Sequence, residues 1–229
     1  DAAAGDQFGS AVAIGNSKVA VGARKENSDA GAVYVYNLDG TGEVKITASD
    51  AAADDQFGSA VAIANNKVYV GSPRKELSSG TGSVYIYNLD GSGESKITAS
   101  DGVNYGRFGI SLATGHDKLV VGASGEVGAV YVYDLDGSNE VKITASDGAS
   151  GDSFGGAVAI GSNKIVVGAI GDDDDGSGSG SAYVFNLDGT GQVKITASDA
   201  AASDNFGSAV AVGGDKVYVG AMFEDEAGS

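Results

Sequence analysis

Residues 8–14 read Phe8-Gly-Ser-Ala-Val-Ala-Ile14, and the phrase returns with small changes at Phe57, Phe108, Phe154 and Phe206. Cutting the chain before the matching Asp ahead of each copy gives segments 1–49, 50–100, 101–146, 147–198 and 199–229, with Phe the eighth residue of all five. From that Phe to the Gly of a Gly-Ala or Gly-Ser pair (Gly22, Gly71, Gly122, Gly168, Gly220) the offset is always fourteen. From Asn37, Asn88, Asp134 and Asn186 to the Ser closing the segment it is always twelve. The full segments run 49, 51, 46 and 52 residues, and the whole difference falls between that Gly and the aromatic run that follows. One loop absorbs every insertion, and a period of this size signals a repeat architecture.

Within segment one, the opening run is followed by Lys18-Val-Ala-Val-Gly22, Ala32-Val-Tyr-Val-Tyr36 and Glu43-Val-Lys-Ile-Thr47. These four short β-branched or aromatic runs are separated by Gly-Asn-Ser and Leu-Asp-Gly-Thr-Gly turn chemistry, which predicts four strands, A to D. Four strands per unit is a propeller blade. Strand A, rich in Ala and Gly, is thin enough for the crowded centre. Strand D holds a Lys in every full copy (Lys45, Lys96, Lys142, Lys194), as an exposed edge guarded against sheet-to-sheet pairing would. The expected fold is therefore all-β: a β-propeller domain over 1–229, with four complete four-stranded antiparallel blades and a half blade at 199–229. The half blade is expected to belong to a five-bladed ring, to a fragment of a larger one, or to a blade finished by a neighbouring molecule.

Composition narrows the function. Thirty-eight of 229 residues are Gly, 42% are apolar and none is Cys, which excludes a disulfide framework, Cys-ligated metal sites and a thiol nucleophile. No apolar run approaches the ~20 residues of a membrane span, so membrane insertion is not expected. Thirty-one acidic against fourteen basic residues give a formal charge of −17, which repels phosphate backbones; nucleic acid is a poor partner. Such a surface suits cation-rich surroundings, a marine or extracellular setting.

The Phe-Gly dyads and the pairs Gly22-Ala23, Gly71-Ser72-Pro73, Gly122-Ala123, Gly168-Ala169 and Gly220-Ala221 resemble FG-GAP repeats, the blades of the integrin α-subunit propeller. The Lys-Ile-Thr-Ala-Ser-Asp and Asn-Leu-Asp-Gly phrases are similar to repeats in surface and virion-associated proteins of marine bacteria and their phages. The resemblance implies an extracellular adhesion or ligand-binding propeller, often with Ca2+. Integrin-type blades hold calcium in an Asp-rich A-to-B loop. Here that link is a tight turn such as Gly15-Asn-Ser17 or Gly115-His-Asp117, and three residues cannot supply the six or more oxygens calcium takes.

Alternating strand directions put the A-to-B and C-to-D turns on one face, and the variable B-to-C loops and D-to-A crossings on the other. Variable loops on a constant scaffold are where binding resides. The candidate ligand-binding residues are accordingly Arg24, Lys25, Arg74, Lys75, Glu126, Asp172, Asp173 and Glu224. For a metal, the candidates are Asp172, Asp173, Asp174 and Asp175 with the crossing residues Asp50, Asp101, Asp147 and Asp199. The competing expectation is that these crossing Asps, with Asp6, Asp55, Asp152 and Asp204, cap backbone amides.

The repeated Phe is expected as a wedge in the core, and strand-C tyrosines divide between packing and polar contacts. The sole His, His116, occupies a turn position filled by Asn or Ser in other copies, and no Gly motif precedes a helix, so neither a triad nor a phosphate cradle is expected. The expected function is a non-enzymatic extracellular, cell-surface or virion-surface module recognising a protein or glycan through the B-to-C loops. The alternatives are a structural repeat that self-associates through unpaired C-terminal strands into a fibre or shell, and an accessory domain of a secreted enzyme.

Overall fold

The computed structural model describes residues 3–75, 80–102 and 105–223. The first repeat folds as β1 (Phe8–Gly15), β2 (Lys18–Ala23), β3 (Ala32–Asn37) and β4 (Val44–Ile46), hydrogen-bonded in that order. The second gives β5 (Ala60–Ala64), β6 (Lys67–Ser72), β7 (Ser83–Asn88) and β8 (Ser95–Ile97). The third gives β9 (Phe108–Gly115), β10 (Lys118–Ala123), β11 (Ala129–Asp134) and β12 (Val141–Ile143). The fourth gives β13 (Ala157–Gly161), β14 (Lys164–Ala169), β15 (Ser181–Asn186) and β16 (Val193–Ile195), and β17 (Phe206–Gly213) pairs with β18 (Lys216–Ala221) as a half blade. The fold is all-β, a propeller-like set of four four-stranded antiparallel blades and one two-stranded sheet. The chain divides into two compact units, Asp1–Leu112 and Ala113–Ser229.

One short helical turn, α1 (Glu26–Asp29), interrupts this pattern in the first B-to-C loop, with Asn27 and Ser28 in left-handed conformations. The A-to-B turns are tighter than the sequence suggests. Gly15 still pairs with Lys18, leaving only Asn16 and Ser17 outside the ladder, both at positive φ. The same left-handed pairs occur at Asn65-Asn66, His116-Asp117 and Ser162-Asn163, as two-residue hairpins with right-twisted strands require.

Packing is directional. In the first unit Ala20, Val33, Val35 and Ile46 of one blade, flanked by Ala11 and Ala13, meet Phe57, Val61, Ile63, Val68, Val70, Tyr85 and Tyr87 of the next. In the second unit Val120, Val130, Val132 and Ile143 meet Phe154, Ile165, Val167, Tyr183 and Phe185 in the same way. In both units the earlier blade thus offers a face of smaller side chains to the aromatic-rich face of its successor. The repeated Phe wedges as expected: Phe57, Phe108 and Phe154 are buried, and Phe57 meets Tyr85 edge-on at 5.5 Å. Phe8 on the first blade is half exposed.

The Gly of the Gly-Ala pair is where neighbouring backbones come closest. A Cβ on Gly22 would lie 2.1 Å from the carbonyl oxygen of Gly58, and one on Gly71 2.0 Å from that of Gly109. The second unit repeats the contact, with 2.0 Å between a Cβ on Gly168 and the Gly207 oxygen. Gly58, Gly109 and Gly207 of the Phe-Gly dyads therefore rest on the Gly after strand B of the preceding blade. We expect Gly71→Ala to cost about 1–3 kcal/mol or more by overpacking, whereas Gly102→Ala, whose nearest neighbour is an ordinary 3.4 Å away, leaves the melting temperature nearly unchanged. Denaturant melts of the two variants check the contrast.

Candidate functional site

The B-to-C loops and D-to-A crossings meet at one end of the sheets and are stitched together by backbone hydrogen bonds. Asp54 N–H donates to the Ser28 carbonyl, Gln56 to Asp29 and Phe57 to Ala30; Ser203, Asn205 and Phe206 repeat this toward Ser177, Gly178 and Ser179. The A-to-B and C-to-D links have fixed length, and from the last residue of strand D to the next repeated Phe the offset is always eleven. Strands A and B are joined by 16–17, 65–66, 116–117, 162–163 and 214–215, and strands C and D by 38–43, 89–94, 135–140 and 187–192. The B-to-C links, 24–31, 73–82, 124–128 and 170–180, are the ones that differ.

In the crossings that carry Asp50/Asp55 and Asp147/Asp152, the two Asp positions have separate jobs. Asp6, Asp55, Asp152 and Asp204 cap the crossing, each accepting from the backbone N–H three residues earlier, at Ala3, Ala52, Ala149 and Ala201 over 2.6–2.8 Å. Asp50 and Asp147 instead reach across the sheet to strand D. Lys96 Nζ lies 3.0 Å from Asp50 Oδ2, and Tyr85 donates its hydroxyl to Asp50 Oδ1 at 2.6 Å. The expectation of amide capping therefore holds for Asp6, Asp55, Asp152 and Asp204, whereas Asp50 and Asp147 turn instead to a lysine and a tyrosine within their reach.

The strand-D lysines are not free guards of an edge. Each lies over the ring of the strand-C tyrosine opposite it in register: Lys45 over Tyr34, Lys96 over Tyr85, Lys142 over Tyr131 and Lys194 over Tyr183, at 5.4–5.6 Å. Glu26 in α1 pairs with Lys45 and accepts from the Tyr34 hydroxyl at 2.8 Å. In the fourth blade Lys194 Nζ lies 2.8 Å from Asp147 Oδ2, 2.8 Å from Asp172 Oδ2 and 2.6 Å from Asp174 Oδ2. Tyr183 donates to Asp172 Oδ2 at 2.8 Å.

Not all predicted ligand contacts are available. Lys75 is buried, bound to Asp55 Oδ2 at 2.8 Å and near Asp50 at 3.5 Å, because two crossing carboxylates need a counter-charge there. Asp172 is buried in the same way against Lys194 and Tyr183. Arg24 is half-buried and donates from Nε to Gln7 Oε1, while Lys25 is half-buried too. Arg74, Glu126, Asp173 and Asp175 are exposed; Asp173 Oδ1 accepts the Gly178 N–H. Glu224 lies outside the described residues.

For a cation, carboxylate oxygens of Asp147, Asp172 and Asp174 lie within 4.8 Å of one another, a spacing that a divalent ion could bridge in principle. Among the described residues Asp50, Asp101, Asp173, Asp175 and Asp199 join no such group. The two-residue A-to-B turns offer still fewer oxygens than the sequence implies, so a calcium loop of the integrin kind does not fit them. His116 sits in its turn as expected, its Nε2 3.5 Å from the Asn163 N–H.

The FG-GAP repeat family model matches residues 1–36, 41–87, 92–133, 138–185 and 190–229. The chain belongs to the FG-GAP repeat family. Each match after the first opens just ahead of a strand D and runs through the crossing into the next blade, so the family pattern spans the inter-blade seam. No curated protein matches the chain. An FG-GAP module is a non-enzymatic structural or adhesion unit, and this chain has no cysteine nucleophile. Among the described residues no helix is long and apolar enough to cross a membrane.

The electrostatics of this face set its pH limits. Burial pushes Asp50, Asp147 and Asp172 up, but hydrogen bonds from lysine and tyrosine outweigh it and hold all three below the usual carboxylate value. Asp152 goes the other way, raised by burial and by the nearby charges of Asp172 and Asp173. Burial would lower Lys75 and Lys194, yet their carboxylate partners raise both; Tyr85 and Tyr183 are raised by burial and by accepting Asp neighbours. The depressed carboxylates contribute stability above about pH 4 that is lost as pH falls through their folded values, and Asp152 softens that acid limb. The raised lysines and tyrosines contribute fully below about pH 10 and lose their contribution above it. Thermal melts should therefore show a plateau between about pH 5 and 9 with a decline on either side; a melting temperature still climbing toward pH 3 would contradict these pairings.

Proposed function

We propose that FG-GAP module 1–229 is a recognition or adhesion unit of an extracellular, cell-surface or virion-surface protein, and that it binds a protein or glycan through its B-to-C loops. One observation supports this above the rest. Links 24–31, 73–82, 124–128 and 170–180 differ in length and charge, while the A-to-B links, the C-to-D links and the spacing from strand D to the next Phe are constant. A scaffold that fixes all but one set of loops leaves that set to diversify for binding. The contact residues we favour are Arg24, Lys25, Arg74, Glu126 and Asp173, with Lys75 and Asp172 holding the loops from beneath. The formal charge of −17 suits a salt-rich exterior. Replacing 170–180 by the short third-blade loop 124–128 should abolish hits on glycan and surface-protein arrays while the protein stays folded; unaltered hits would move recognition off this loop.

A structural role through self-association is the second reading, and exposed strands and faces favour it. Phe8, Val12, Ile14 and Leu38 are 50–71% exposed on the first blade, although their counterparts Phe57, Val61 and Ile63 are buried against a neighbour. Among the described residues β18 pairs with β17 alone. Light scattering over a concentration series should show association that Val12→Lys/Ile14→Lys suppresses. A species that is monomeric throughout, with and without the substitutions, would dispose of this reading.

A further inference from the structure

The fourth-blade cluster has the outline of a cation site, and the cation in it belongs to the chain. Lysine ammonium has three donors and no acceptor. At Lys194 the three carboxylates of Asp147, Asp172 and Asp174 stand at 2.6–2.8 Å, one for each donor, and the Tyr183 ring lies below at 5.5 Å. The carboxylates come from three places in the chain: the D-to-A crossing, the start of the variable loop and its acidic run. The ammonium is the one group that pairs with all three; the Tyr183 hydroxyl reaches Asp147 and Asp172 but not Asp174.

We infer that the strand-D lysine is a built-in counter-ion occupying the place a divalent cation would take, so that Lys194 and Ca2+ compete for one set of oxygens and the native protein is independent of calcium. The other blades support this by keeping the lysine while changing its partners. Lys45 is met by Glu26 from the loop, and Lys96 by Asp50 from the crossing. The loop position eighteen residues after the Phe is Glu26, Glu126 and Asp172 in three blades but Lys75 in the second. There the second ammonium serves Asp55 and Asp50, so the second blade also meets its carboxylates with side-chain cations. The raised lysine value at 194 agrees with an ammonium bound by three carboxylates.

Calcium–oxygen bonds of about 2.3–2.6 Å place opposed ligand oxygens roughly 5 Å apart, which matches the spread of these three carboxylates once the ammonium is removed. The test compares the wild type with Lys194→Met, which keeps an apolar stem over Tyr183, and with Lys194→Met/Asp174→Asn. The wild type should give the same melting temperature in EDTA and in about 10 mM Ca2+ at matched ionic strength, and no heat on calcium titration. Lys194→Met should melt lower in EDTA and regain most of the loss with Ca2+, and the double variant should not regain it. If Lys194→Met folds only with calcium present, the inference gains the same support. It is overturned if the wild type binds Ca2+ with heat or a raised melting temperature. It is equally overturned if Lys194→Met is as stable as the wild type, or if its loss is indifferent to calcium.

Discussion

The contact on which this fold depends is between two glycines with no side chain at either end. The Gly after strand B of one blade lies so close to the Gly of the next blade's Phe-Gly dyad that a Cβ at the first would approach the second's carbonyl oxygen to about 2 Å. Such proximity leaves no room for substitution, and it fixes where the Phe just before the second Gly enters. Phe57 and Phe154 then meet the tyrosines of their own blade, and the small-residue face of the preceding blade closes over them. The fourteen-residue spacing from Phe to Gly is the one-dimensional trace of this contact: both ends of the A–B hairpin must arrive at successive seams in register.

Holding the hairpin to that register pushes all freedom into the B-to-C link. Its far end is tied again, since Gly31 bridges Phe57 and a Cβ there would meet the Phe57 oxygen at 2.0 Å. Gly82, Gly128 and Gly180 repeat the bridge to Phe108, Phe154 and Phe206. A loop anchored at both ends over the same crossing can lengthen only outward, which is why insertions there disturb neither sheet nor seam. The same constraint puts chemistry and variation side by side: Lys75 and Asp172 of the loops are near enough to the crossing to take part in its charge pairs, and Glu26 pairs with Lys45 of strand D.

Blade boundaries and strands are legible in the sequence because five copies in register separate the constant from the variable residues. Turn length is less legible: Gly15-Asn-Ser17 reads as a three-residue link, yet Gly15 remains in the ladder because the left-handed pair Asn16-Ser17 closes the hairpin unaided. The two Asp positions of the crossing look alike on the page and differ in space. Asp55 finds its amide three residues away, a local pattern, whereas Asp147 finds Lys194 across a whole repeat, a distance no local pattern encodes. The lysine had a usable signal. Alternation on strands C and D puts Tyr34, Tyr85, Tyr131 and Tyr183 directly opposite Lys45, Lys96, Lys142 and Lys194, so an edge-guarding lysine facing a tyrosine in every full blade already argued for a partner.

That pairing also explains how a chain with a charge of −17 can bury carboxylates at all. A buried charge persists only when paired and hydrogen-bonded, and here every well-covered acid on the loop face is placed against a backbone amide, a tyrosine hydroxyl or a lysine. Basic residues are scarce, and Lys194 on strand D stands where a single ammonium reaches both the crossing, at Asp147, and the loop, at Asp172 and Asp174. On the loops, Glu126, Asp173 and Asp175 stay outward, where water and salt screen them. Loop sequence can therefore change further out without charge rearrangement beneath, provided the third loop residue keeps a partner in the cluster. The second blade shows how strict that proviso is: with Lys in place of an acid, the side chain turns inward to Asp55 and Asp50 rather than out to solvent.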